Sequence, residues 1–126
     1  MKKITLLSVF LTSLFLSMGS FFVEAVEVSV FTIEINGEQY TYSQSISPSF
    51  PIMATFLHPD PRVTHVRMQH PSDPNRQMTF KIGRRVQIVN HESHMRAGHE
   101  SQSVFIALDD KGNAYGRITL TFMPHR

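Results

Sequence analysis

The sequence predicts an all-β domain, an antiparallel β-sandwich or partly closed barrel of about eight short strands behind an export signal. Three observations carry this. From Val26 onward apolar residues recur with period two, or in short runs bounded by Gly, Pro, Asn and Asp, which is the pattern of strands with a buried side. No stretch holds helical periodicity for longer than two turns. The chain has no cysteine, so no disulfide or thiolate metal site staples it, and stacked layers must supply the core.

Lys2 and Lys3 precede an uncharged run from Ile4 to Val23, and Val23-Glu24-Ala25 puts small residues where a signal peptidase reads them. Residues 1–25 are therefore expected to be a cleaved secretory signal peptide, and residues 26–126 a single domain. The run is long enough for an uncleaved anchor. Its serines, threonines and Gly19 dilute its apolarity, however, and Ala25 favours removal. A periplasmic or secreted protein with no membrane span after cleavage is the expectation. The formal charge of +2 includes Lys2, Lys3 and Glu24, so the mature domain is nearly neutral and carries no overall field for nucleic acid or anionic lipid.

Asn36-Gly37 is the preferred two-residue hairpin turn, because both central positions need φ > 0. It pairs Ile35 with Glu38, Ile33 with Tyr40 and Phe31 with Tyr42. Val26, Val28 and Val30 stand in the opposite phase, which predicts a bulge or a change of sheet before Phe31. Ser43 to Pro51 is a polar connection. Ile52 to Leu57 is apolar on both parities, as in a strand buried on both sides. Val63 to Met68 is a strand between two proline-rich loops, His58-Pro59-Asp60-Pro61-Arg62 and His70-Pro71-Ser72-Asp73-Pro74-Asn75-Arg76, which a six-residue strand holds roughly 20 Å apart. Met78, Phe80, Ile82, Val86 and Ile88 share one parity across a bend at Gly83. A last hairpin turns at Asp110-Lys111-Gly112. With Asp109 opposite Asn113 it pairs Ile106 with Gly116 and Val104 with Ile118, collecting Val104, Ile106, Leu108, Ile118, Leu120 and Phe122 on one face.

The chemistry concentrates in His91-Glu92-Ser93-His94-Met95-Arg96-Ala97-Gly98-His99-Glu100, read as a loop. Imidazole and thioether are donors that copper or zinc accepts, so His91, His94, His99 and Met95 are the candidate metal ligands. His125 joins them if the chain end folds back beside that loop. The alternative is a solvated loop whose histidines are incidental. His-Glu-Ser-His is one residue short of the zinc-protease helix motif. Asp109 and Asp110 beside Gly112 lack the spacing of a calcium loop and read as turn formers. No Gly-x-Ser-x-Gly elbow or phosphate loop is present, so the chain is not expected to be an enzyme.

Ile82-Gly83-Arg84-Arg85-Val86-Gln87-Ile88-Val89-Asn90, with His91 following, resembles the cupredoxin pattern of a glycine turn, a strand ending in Asn, and a copper-binding His in the loop beyond. The resemblance spans about twenty residues, Ile82 to His99, and implies a Greek-key sandwich of the immunoglobulin or cupredoxin kind. By the same resemblance His94, or His91 or His99, holds the first copper-histidine position. The chain departs from the family in having no Cys for a blue-copper centre. Two expectations follow. One is an exported domain that binds copper or zinc through the histidine segment. The other is a noncatalytic module whose partner is another envelope or extracellular protein, bound through loops or at a sheet edge.

Overall fold

Asn36 and Gly37 adopt φ of 51° and 89°, and the hairpin they close opens the fold in the computed structural model, which describes residues 28–125. The expected signal peptide and Val26 lie outside the described residues. Strands β1 (Thr32–Ile35) and β2 (Glu38–Tyr40) pair Ile33 with Tyr40 and Ile35 with Glu38, in the register that the turn dictates. On its other side β1 pairs with β4 (Met53–Leu57). Between them β3 (Gln44–Ile46) belongs to a different sheet.

The remaining elements are β5 (Val63–His70), β6 (Asp73–Lys81), β7 (Val86–Gln87), α1 (Val89–Arg96), β8 (Ser101–Asp109) and β9 (Ala114–Phe122). They complete a four-stranded sheet ordered β2-β1-β4-β7 and a five-stranded sheet ordered β3-β9-β8-β5-β6. The domain is thus an all-β sandwich with one short helix. No helix among the described residues is long and apolar enough to cross a membrane. Phe56 of β4 joins the two sheets, its ring 5.5 Å from those of Phe80 and Phe105. Around it Ile33, Ile52, Val66, Leu120 and Phe122 are fully buried. At roughly 1.5–3 kcal/mol per buried apolar side chain, this cluster is the main source of stability in a chain without cross-links.

Four expectations need correction. The sheets are not wholly antiparallel: β3 runs parallel to β9, Gln44 beside Leu120 and Ile46 beside Phe122. After β2 the chain crosses to the other sheet and arrives in the direction of β9, a choice that no local pattern encodes. Next, β4 is buried on one side only. Ile52, Ala54 and Phe56 are inside, whereas Met53, Thr55 and Leu57 are half-exposed. The histidine segment is a helix rather than a loop, as described below.

The fourth correction concerns the last hairpin. Leu108 pairs with Ala114, as a turn with Asp109 opposite Asn113 dictates, but Ile106 then meets Arg117 rather than Gly116, and Phe105 rather than Val104 meets Ile118. One extra residue on β9 makes a bulge, and a one-residue slip exchanges the faces of everything beyond it. Phe105 and Ala107 therefore enter the core with Ile118, Leu120 and Phe122, while Val104, Ile106 and Leu108 form a separate cluster on the outer face. Their same-face neighbours across the strands are Gln69, Arg67 and His65 on β5 and Thr119 and Arg117 on β9. Long polar side chains of this kind cover an apolar strip with their stems.

Gly116 makes the bulge possible. Its φ is 138°, and a Cβ there would sit 3.4 Å from the Phe31 ring, so any side chain is strained by the backbone even where space remains. Gly116→Ala is expected to cost about 1–3 kcal/mol, measured by urea unfolding. A variant as stable as the parent would show that the bulge relaxes freely.

Candidate functional site

The helix ends where Gly98, at φ 82°, takes the left-handed turn. The Gly98 amide donates to the Met95 carbonyl at 3.0 Å and the His99 amide to the His94 carbonyl at 2.9 Å, the two bonds of a Schellman cap. The helix buries His91, Glu92 and Met95, so two of its three inward residues are polar. Each has its partners.

Glu92, 3% exposed, accepts from the Ile52 amide at 2.7 Å and from the Gln87 side-chain amide at 3.0 and 3.2 Å. Burial pulls its pKa up. The Ile52 and Gln87 donors, with Arg96, outweigh that and hold it below the ordinary carboxylate value. One carboxylate thereby fastens α1 to β4 and β7. His91, 2% exposed, lies between two hydroxyls of β8: Nδ1 is 2.6 Å from Ser101 Oγ and Nε2 is 2.7 Å from Ser103 Oγ. A neutral imidazole has one donor and one acceptor nitrogen, so one serine accepts from the ring and the other donates to it. The ring stacks on Phe122 at 4.0 Å. Burial, and then the nearby His94, push its pKa down from 6.5 to about 4.

The five expected metal ligands are not gathered at one point. Both nitrogens of His91 are engaged, and Met95 is part of the core. His94 and His99 are exposed, on the last turn of the helix and just beyond its cap. The chain end does return toward α1: Arg96 lies 4.4 Å over the Phe50 ring, and the His125 ring is 5.0 Å from the same ring. There His125 Nε2 meets the Pro48 carbonyl oxygen at 2.7 Å. Among the described residues no three His, Asp or Glu side chains are grouped so as to hold a metal ion. The strand of the cupredoxin-like pattern ends at Gln87, and Asn90 lies inside α1.

What the fold does build is a groove of about 760 Å³ between α1 and the β5–β6 hairpin. Met68 and Met78 face each other across the two strands and both line it. Met68 is 4% exposed and Met78 is 53% exposed, because β6 reaches past the cover that the smaller sheet provides. His70 and Arg76 stand on the hairpin side, His94 on the helix side, and Glu100 at the start of β8. Of these His94 and Glu100 belong to the segment that the sequence singled out. The others come from a proline-rich turn and an apparently ordinary strand, and their shared signal is the parity of Arg76, Met78 and Phe80.

At the opposite end of β5, Asp109 accepts from the Lys111 and Asn113 amides, the Asn113 side chain and the Tyr115 hydroxyl. Hydrogen bonding, chiefly from Asn113, lowers its pKa to about 2. Its oxygens are committed to the turn, as the sequence implied. No family model, curated protein or solved structure matches the chain.

The placement of His91 fixes the acid response of the fold. Unfolded, the imidazole takes a proton near pH 6.5; folded, near 4. Between those values the unfolded chain binds a proton that the native state refuses, so stability falls as pH falls through the window and is fully present above it. The complete loss is about 3 kcal/mol. Urea unfolding at pH 7 and pH 4.5 is expected to show most of that loss in the parent and little of it in His91→Gln. Equal losses in both would relocate the sensitivity elsewhere.

Proposed function

We propose that this chain is an exported, noncatalytic binding domain, and that its ligand is a segment of another polypeptide held in the groove between α1 and the β5–β6 hairpin. The observation that carries this is the uncovered methionine floor. Met78 lies on the core-facing side of the larger sheet, opposite buried Met68, yet more than half its surface is open. Polar side chains surround the two methionines of this groove, and its volume lies within the range of about 300 to 1,000 Å³ common to binding sites. Methionine suits such a floor because its unbranched side chain adapts to different contacts.

Catalysis is disfavoured by the state of the buried His91 and its two serine contacts in the groove. Ser101 and His91 are within hydrogen-bond distance, but the ring is poised near pH 4 and accepts a proton poorly at neutrality. A second serine, where a hydrolase places a carboxylate, holds the other nitrogen. Copper or zinc binding is the second reading, through His70 and His94, which line the same groove.

Two measurements test these readings. A photo-crosslinking amino acid at Met78 or at His94, in cells that make the protein, is expected to give one and the same polypeptide adduct, joined through one contiguous segment; the same group at Lys111 gives none. Adducts distributed evenly over the three positions would remove the groove reading. In titrations with zinc and copper, stoichiometric micromolar uptake lost in His94→Ala would put the metal reading first.

A further inference from the structure

We propose that the groove's partner is an extended, acidic segment that adds as a sixth strand to the outer edge of β6 over Gln77–Lys81, with alternate apolar side chains toward Met78. The proposal rests on the polypeptide reading above and specifies its geometry and charge.

β6 is the last strand of its sheet. It pairs with β5 in regular antiparallel register from Gln77 to Lys81, and the ladder continues where the Ile82 amide donates to the Thr64 carbonyl at 3.2 Å. In such a ladder, residues alternate between those bonded to the neighbour and those facing away. Met78, Phe80 and Ile82 are bonded to β5. The amides of Gln77, Thr79 and Lys81 and the carbonyls of Gln77 and Thr79 therefore point outward along a free edge, while the Lys81 carbonyl accepts from the Arg84 amide at 3.4 Å. A peptide backbone offers matching donors and acceptors in that alternation, whereas a phosphate backbone or a lipid headgroup offers acceptors alone.

The register fixes the length and the facing of the added strand. Beyond Gln77 the pairing jumps to His70 with Asp73, so residues 74–76, Pro74 among them, bulge out and end the regular edge. On that window the even-numbered residues of β6 lie on the core side of the sheet, Met78 at the groove and Phe80 against Phe56, and the odd-numbered ones alternate to the other side. An added strand with apolar residues on one parity continues the methionine floor.

Charge selects the polar side chains of the added strand. Arg76, Lys81, Arg84 and Arg85 are all exposed on this edge and the turn after it, and Asp73 is the one acidic residue between 73 and 87. Among the described residues the one side-chain ion pair is Arg62 with Asp60, so these four cations are unpaired. Lysine, proline and bulges on an edge discourage indiscriminate pairing. Here they set a second copy of this chain against its own charge while leaving the edge open to Asp or Glu. Selection by repulsion and attraction together is how specificity is commonly built.

The test uses blocked nonapeptides alternating valine with glutamate, or valine with lysine, added to the isotope-labelled protein. The glutamate peptide is expected to shift the Gln77, Thr79 and Lys81 amides, to protect them from exchange, and to bind at least tenfold more tightly than the lysine peptide. Thr79→Pro removes an outward donor without touching the β5 ladder and is expected to weaken binding at least tenfold. Arg84→Glu/Arg85→Glu, which leaves the backbone intact, should reverse the preference between the peptides. Equal binding of the two peptides, no change at residues 77–81, or tighter binding of duplex DNA or phosphatidylglycerol vesicles would each overturn the proposal. Crosslinks from Met78 and His94 that persist in Thr79→Pro would keep the groove reading while ending the added strand.

Discussion

Five strands on one side face four on the other, the outermost of the four only two residues long, so the larger sheet has inner surface that the smaller cannot cover. Helix α1 fills part of the gap, and it does so through polar residues. Glu92 reaches the Ile52 amide and His91 bridges two serines of β8. A buried carboxylate or imidazole without partners costs more than its packing returns. These contacts are therefore what allow an eight-residue helix, far too short to hold alone in water, to close one end of the sandwich. What α1 leaves open becomes the groove.

The sequence made the turns legible and the tertiary choices illegible. Asn36-Gly37 specified its hairpin down to the partners of Ile33 and Ile35, because a two-residue turn fixes register by itself. The last hairpin began equally well at Asp109 and Asn113 and then slipped at Gly116. A glycine within a strand pattern is a bulge signal; the bulge puts Phe105 and Ala107 in the core, where unbroken alternation puts Val104, Ile106 and Leu108. In α1 the failure had another cause. With His91, Glu92 and Met95 as its buried face there is no apolar stripe for periodicity to detect, and Ile88 gives no side-chain cap. The one local sign of a helix was Gly98 at its end.

The histidine-dense segment borders the groove, but its imidazoles do not converge there. Residues at helical spacing point to different sides of their element. Within nine residues the fold sends His91 into the core, His94 to the groove and His99 to solvent. The groove itself is assembled from the turn at His70, the strand at Met78, the helix at His94 and the start of β8 at Glu100. Such a site has no contiguous signature. It becomes visible only once Met68 and Met78 are known to be cross-strand partners and Met78 is known to stay open where Met68 is buried.

The same contrast between whole-chain averages and local placement governs charge. A nearly neutral domain has no long-range field, yet four cations fall between Arg76 and Arg85 with one acid nearby. At an ionic strength near physiological, charges more than about 8 Å apart hardly feel each other. What a partner meets is thus the local count at the edge, not the sum over the chain. An edge strand must remain unattractive to its own copies while the protein is concentrated, and like charge on both copies achieves that without any contact being made. The device is asymmetric: it repels the identical edge and any basic segment, but lowers the barrier for an acidic one. The free backbone groups of Gln77, Thr79 and Lys81, the methionine floor beside them and the cations around them are for that reason better understood as one surface than as three separate accidents of the fold.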